Sequence, residues 1–426
     1  MNSDLKNSVK NEVAAAFAVL LVIIIGAVVS VSVSVAVSKS GSVPVNENIS
    51  AEGEEYSEEA DDDSAEFDGS LDDINDLVVD RHKLVRRENL NDEGKRIYDE
   101  LYEAVSTHSS FVYYDNNSYS DERNDILGDI FNDILSYYVL TDHPELFWTQ
   151  GGFEISAVNT ASGAEYTYNV TYDCDKNKIP QYEKEIQAKA EEIISSVPNA
   201  NNYEKALWVH DWIVDNTTYD NDVSWIIGED KSFGASIYSL LVKGRSNCNG
   251  YSKTYKYLMD MLGIPCTVIA GTCTDGVLHG WNVIEFDGEC YQIDATWDDP
   301  IGVRQAVHHN YFCITDEEMY KSRTVMDCIS TPICTASKYN YYVYYGIFAS
   351  EINSEVLDKA VKLYKEKEND YIELKLASSQ MMDEAVKYIT ENEEFDVVLR
   401  DNGFKGSTSI NYSKYDDTFV VEVSLN

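Results

Sequence analysis

One of the chain's eight cysteines, Cys248, opens a segment whose periodicity suits a helix. In RSNCNGYSKTYKYLMDMLGIP, Arg245 to Pro265, the residues Tyr251, Tyr255, Leu258 and Leu262 recur at spacings of four, three and four. That pattern predicts a helix with one buried face, stopped by Gly263 and Pro265. Cys248 then sits at or just before the helix N-terminus. Unpaired backbone N–H groups and the helix dipole favour a thiolate there. The same N–H groups could receive a developing oxyanion. A nucleophilic thiol also needs a base within reach.

A base is supplied by HGWNVIEFDGECYQIDATWDDP, His279 to Pro300. Two alternating runs flank Asp287-Gly288, a strong two-residue hairpin signal. Pairing Phe286 with Glu289 sets His279 opposite Thr296 and Asp294 opposite Trp281. His279 and Asp294 then share one face as diagonal neighbours, about 7–8 Å apart at the backbone. An aspartate can hold one ring nitrogen of a histidine and leave the other for a thiol. A one-residue slip would put the two on opposite faces.

The C-N-G-Y-S-K-T-Y helix start, the H-G-W-N-V strand and the D-A-T-W-D-D-P end resemble the signature blocks of the bacterial transglutaminase-like superfamily. The resemblance extends upstream through WVHDWIVDNTTYD and SIYSLLVKGRSNC, and downstream to YFCITDEEMY. It implies an α+β fold similar to papain-like proteases, with a cysteine at a helix start packed on an antiparallel sheet. It also implies roles: Cys248 as nucleophile, His279 as general base and acid, Asp294 as orienting carboxylate. Asn249-Gly250, directly after the cysteine, is where relatives vary, and it leaves the oxyanion donors open. No cofactor or metal is implied.

Other residues carry weaker signals. Cys266, Cys273, Cys290, Cys313 and Cys328 read as core or partly exposed thiols, and no C-x-x-C pair exists. His210-Asp211 lies on an amphipathic helix between Trp208 and Trp212 and reads as a packing and hydrogen-bonding element, with a second catalytic base as the lesser alternative. His308-His309 reads as loop, because adjacent histidines cannot face one ion from a regular element. Trp281 is the candidate substrate-binding residue beside the triad, with Trp297 just past it. Ordinary aromatic packing explains both equally well. Strand propensity accounts for Tyr113-Tyr114 and Tyr341–Tyr345.

These residues need elements to position them. The pattern predicts helices over 92–104, 121–138, 182–196 and 202–216, and paired strands near 153–158 and 165–172. A small C-terminal α+β unit follows, with helices at 356–365 and 382–390 and strands at 371–376, 395–399 and 419–425. Residues 86–200 read as an N-terminal α+β region, 201–345 as the catalytic domain and 346–426 as the C-terminal unit.

Residues 13–37 contain no charge, enough for a transmembrane helix after a cytoplasmic stretch, 1–12. Lys6 and Lys10 precede it, which places the remainder outside the cell. The alternative is a cleaved signal peptide and secretion. Residues 38–85 read as an acidic, disordered spacer, with fifteen Asp or Glu and no Lys or Arg between 41 and 80. The net charge of −42 disfavours nucleic acid as a partner. A membrane-anchored extracellular thiol acyltransferase is therefore expected, with a protein or cell-wall peptide as substrate. The acceptor can be an amine or water. The alternatives are a cysteine peptidase or amidase with the same triad, and a non-catalytic surface module.

Overall fold

The computed structural model describes residues 71, 77–80, 82–149, 151–220, 234–299, 306–369, 371–405 and 410–425. The expected membrane segment, 13–37, and the acidic stretch to residue 70 lie outside the described residues. Among the described residues, no helix is long and apolar enough to cross a membrane. Order begins before the expected spacer end at residue 85. Leu71, Leu77 and Val85 are buried, and the Val85 carbonyl accepts from Thr267 Oγ1 at 3.1 Å.

The N-terminal region holds α1 (Asp92–Thr107), β1 (Ser110–Asp115), α2 (Asp121–Asp133), β2 (Phe153–Asn159) and β3 (Ala164–Val170). Asn91 caps α1 and Ser120 caps α2, each taking an N–H of the first turn. A π-helical turn, Ile134–Val139, extends α2. The expected strand pair forms in register from Phe153↔Val170 to Asn159↔Ala164. β1 adds on the far side of β3. Phe131 from α2 meets Phe111 and Tyr168 edge-on, each at 5.0 Å, which seals helix to sheet.

Next come α3 (Ile179–Ser196), α4 (Asn202–Asn216), β4 (Thr218–Tyr219), α5 (Ile237–Lys243), β5 (Arg245–Ser246) and α6 (Cys248–Met261). A five-stranded sheet follows, from β6 (Cys266–Cys273), β7 (Leu278–Phe286), β8 (Glu289–Ile293), β9 (Phe312–Ile314) and β10 (Arg323–Val325). Its order is β10-β6-β7-β8-β9, with every pair antiparallel. α6 packs on β6 and β7, with Tyr251, Tyr255 and Leu258 buried and the Asn282 side chain donating to the Ser252 carbonyl at 3.0 Å. Gly263 ends the helix at φ +69°, the left-handed conformation a helix stop favours.

The β7–β8 hairpin turns through Asp287 and Gly288, both at positive φ, as a type I′ turn requires. Its ladder runs from Phe286↔Glu289 to Asn282↔Ile293, the expected register. It stops there, so His279 faces Gly271 of β6 and not Thr296. The chain leaves the sheet at Asp294 in a turn closed by Asp298 N–H to Asp294 O, 3.2 Å.

The C-terminal unit has β11 (Phe348–Ala349), α7 (Ser354–Lys367), β12 (Ile372–Leu376), α8 (Ser379–Glu391), α9 (Glu393–Asp401), β13 (Ile410–Tyr415) and β14 (Val420–Leu425). Its sheet order is β11-β12-β14-β13. Two expectations fail. Phe395–Leu399 lies in helix α9, not a strand. Asn392 caps it, and Phe395, Val398 and Leu399 bury one face at helical spacing. Tyr341–Tyr344 is a helical turn whose rings pack among themselves and on His309.

Candidate active site

Cys248 occupies the first helical position of α6. Asn247 is its N-cap, and its side chain accepts from the N–H groups of Asn249 and Gly250 at 3.1 and 3.5 Å. Tyr251 N–H bonds the Asn247 carbonyl. Those three donors are thus committed to the cap and not free to receive an oxyanion, contrary to the expectation for the helix start. The Cys248 thiol lies close enough to His279 and the backbone N–H of Gly280 for both to favour its thiolate. Glycine suits position 280, since a Cβ there would lie 3.1 Å from Asn249 Oδ1 and 3.3 Å from Ser252 Oγ.

The His279 ring lies in the sheet, buried, with Trp281 stacked beside it at 6.0 Å and Trp297 at 5.8 Å. Its Nε2 is 2.7 Å from Asp294 Oδ2, so Nδ1 is the nitrogen that serves the thiol. Asp294 is satisfied on every side. Oδ1 accepts from the N–H groups of Thr296 and Trp297 at 3.0 and 3.2 Å, and Oδ2 also accepts from Arg323.

Arg323 is the residue the sequence reading missed. It stands in β10, opposite Cys273 of β6, fully buried. Trp297 covers its guanidinium at 3.9 Å, with Tyr311 and Trp281 beyond at 5.3 and 5.4 Å. A guanidinium so walled by rings is held by cation–π attraction as well as by its ion pair. No local pattern marks Arg323. Only the β10–β6 pairing brings it to Asp294, 29 positions away.

The charges set each proton affinity. Burial pulls the Asp294 carboxyl up, but the charges of His279 and Arg323 outweigh it and hold the group well below the usual carboxylate range. Burial pulls His279 down, yet Asp294 and the thiolate raise it to about 9. Burial alone would push the Cys248 thiol up. The hydrogen bond and charge of His279, with the Gly280 N–H, instead hold it below the ordinary thiol value. Other cysteines go the opposite way: burial pushes Cys174, Cys273 and Cys290 up to about 11 and Cys266 to about 12. The arrangement favours a thiolate–imidazolium pair at Cys248 and His279.

Residues 187–295 match the family described as the transglutaminase-like superfamily. The chain carries a transglutaminase-like domain. The matched segment includes Cys248, His279 and Asp294. No curated protein matches the chain. Among solved structures, a crystal structure of a TGase is similar at TM-score 0.24 and 16% identity, over 44% of this chain and 51% of that one. A candidate cysteine protease from Cytophaga hutchinsonii gives 0.21 and 18%, over 34% and 62%. A candidate protease from Parabacteroides distasonis gives 0.20 and 12%, over 34% and 36%. The chain thus spans about half the length of the first of these.

Around this transglutaminase-like site the two tryptophans divide differently from expectation. Trp281, the candidate substrate-binding residue, is 1% exposed. Its indole N–H is bonded to Gln292 Oε1 at 2.7 Å, so it supports the imidazole from within. Trp297 is 37% exposed and is the more accessible ring of the two. His308 and His309 are loop residues as expected, but buried ones. His308 pairs with Glu422, and His309 with Glu373 and Asp211. His210 is buried and bonded to Asp211 and Asp298, the packing and hydrogen-bonding element expected.

Proposed function

We propose that the chain is a membrane-anchored, extracellular transglutaminase-like enzyme that transfers acyl groups through a thioester on Cys248. The observation that carries this reading is Cys248 beside His279, which favours the thiolate, with the far nitrogen of the ring fixed by Asp294. The Cys248 thiolate attacks the carbonyl carbon of a carboxamide or peptide bond. The amide N–H of Cys248, the first-turn donor not engaged by the Asn247 cap, is the proposed oxyanion partner. His279 gives its proton to the departing amine or ammonia as the C–N bond breaks, leaving a thioester. An acceptor amine or water then loses a proton to His279, attacks the thioester and releases the thiolate.

Surface protein or cell-wall peptide is the proposed substrate, consistent with the uncharged segment 13–37 that would export the domain. To test this, the chain is incubated with casein and a labelled primary amine, and products are read by mass spectrometry. Amine incorporation, deamidation or backbone cleavage, absent in Cys248→Ala, supports the reading and names the acceptor. Wild type indistinguishable from Cys248→Ala would leave only a binding module.

A further inference from the structure

Behind the turn that carries Asp294 lies a second cluster of chemistry-bearing side chains. His210 and Asp211 come from α4, and His309 comes from the segment before β9. His210 Nδ1 is 3.0 Å from Asp211 Oδ1, and His309 Nε2 is 3.2 Å from the same oxygen. These ligand atoms all lie within 4.8 Å of one another. Tetrahedral zinc binds nitrogen and oxygen at about 2.0–2.2 Å, which sets its ligands roughly 3–3.5 Å apart.

The far ring nitrogens strengthen the case. His210 Nε2 is 3.1 Å from Asp298 Oδ2, and His309 Nδ1 is 3.0 Å from Glu373 Oε2. Metal-bound histidines characteristically give that second N–H to a carboxylate, which fixes the tautomer and aims the lone pair at the ion. Both carboxylates are buried and themselves held: Asp298 by the Tyr311 N–H at 3.1 Å, Glu373 by Tyr342 OH at 3.2 Å. With each far nitrogen donating, two neutral rings would turn lone pairs toward one carboxylate oxygen. A proton on each ring would satisfy those contacts, and so would one divalent ion placed between the two rings and the Asp211 carboxylate. The Asp211 side chain keeps 38% of its surface, which leaves an entry path and room for a water as fourth ligand.

We propose that His210, Asp211 and His309 bind a divalent transition-metal ion of the zinc class, with Asp298 and Glu373 as supporting carboxylates. His308 takes no part, since its ring is turned to Glu422. The ion would tie α4, the segment after Asp294 and β12 of the C-terminal sheet together, a structural role apart from the Cys248 site.

The test uses the full chain, stripped of metal with a chelator under reducing conditions and titrated with cobalt(II). The expected result is one tightly bound equivalent with visible d–d bands, no thiolate-to-cobalt band in the near ultraviolet, and displacement by zinc. Cys248→Ala should bind equally. Asp211→Asn should lose the equivalent. Glu373→Gln should bind roughly 10–100-fold more weakly, with circular dichroism confirming its fold. Where a variant does not fold, X-ray absorption on the zinc-loaded wild type decides: nitrogen and oxygen scatterers with the imidazole signature support the site, and sulfur scatterers overturn it. No bound equivalent in wild type, or unchanged binding in folded Asp211→Asn and Glu373→Gln, also overturns it.

Discussion

At the scale of single residues, the site is a chain of charges, each fixed by the next. Arg323 holds Asp294 anionic, Asp294 holds His279 protonated, and His279 holds Cys248 as thiolate. The sign of the pH response follows. The imidazolium is lost as pH rises through about 9, so activity should fall there. The thiolate is lost as pH falls through a thiol value held below the ordinary one. Turnover should plateau between these limits, and the two apparent values belong to the pair. Arg323→Met removes one partner of a buried ion pair. Unfolding in urea should show a loss of about 3–5 kcal/mol. At a temperature where the variant is folded, kcat should drop by roughly 10²-fold through misplacement of the imidazole. An unchanged kcat would make Arg323 a purely structural residue. Cys248, His279 and Asp294 were legible in sequence because a helix start and a two-residue turn are local signals. Arg323 was not, because its contact depends on an edge strand joining a sheet far along the chain.

At the scale of elements, the start of α6 is the part under tightest geometric control. A Cβ at Gly250 would lie 1.9 Å from Ser246 Oγ, 2.5 Å from Ser246 Cβ and 3.1 Å from the Ser236 carbonyl. Gly250→Ala should therefore destabilise by about 1–3 kcal/mol through overpacking, seen as a lower thermal midpoint. It should also slow Cys248 alkylation by moving the helix start. A wild-type midpoint would show that β5 yields freely. The hairpin register was readable because Asp-Gly fixes a turn and alternation fixes the faces. Its end was not, since the turn at Asp294 is closed by bonds from Thr296, Trp297 and Asp298. The segment Phe395–Leu399 misled for a different reason: a short FDVVL stretch, apolar at four of five positions, fits strand or helix equally, and the Asn392 cap decided it.

At the scale of the whole molecule, the C-terminal unit is bound into the transglutaminase-like domain by buried charge. Glu422 meets His308, Glu373 meets His309, and Lys375 meets Glu318 at 2.5 Å. Removing residues 346–426 would strand these partners in a poorly solvated interior, where an unpaired charge is strongly destabilising. The truncated chain should unfold at a markedly lower temperature than the full chain by circular dichroism, and the full chain should melt in one transition. Two transitions, with the truncated form matching the upper or lower one, would show that the units fold separately. Composition and periodicity conveyed the α+β class and the presence of this unit. They conveyed nothing of its docking, which rests on side chains far apart in the chain, such as His309 and Glu373 at a separation of 64 and His308 and Glu422 at 114.

The most direct measurement is the rate of Cys248 alkylation by iodoacetamide against pH, in wild type and His279→Ala, read by peptide mass spectrometry. A thiolate paired with imidazolium predicts fast alkylation well below the ordinary thiol pKa, with His279→Ala reacting only as pH approaches roughly 8.5 or above. A wild-type profile that follows an ordinary thiol, unchanged in His279→Ala, would contradict the triad.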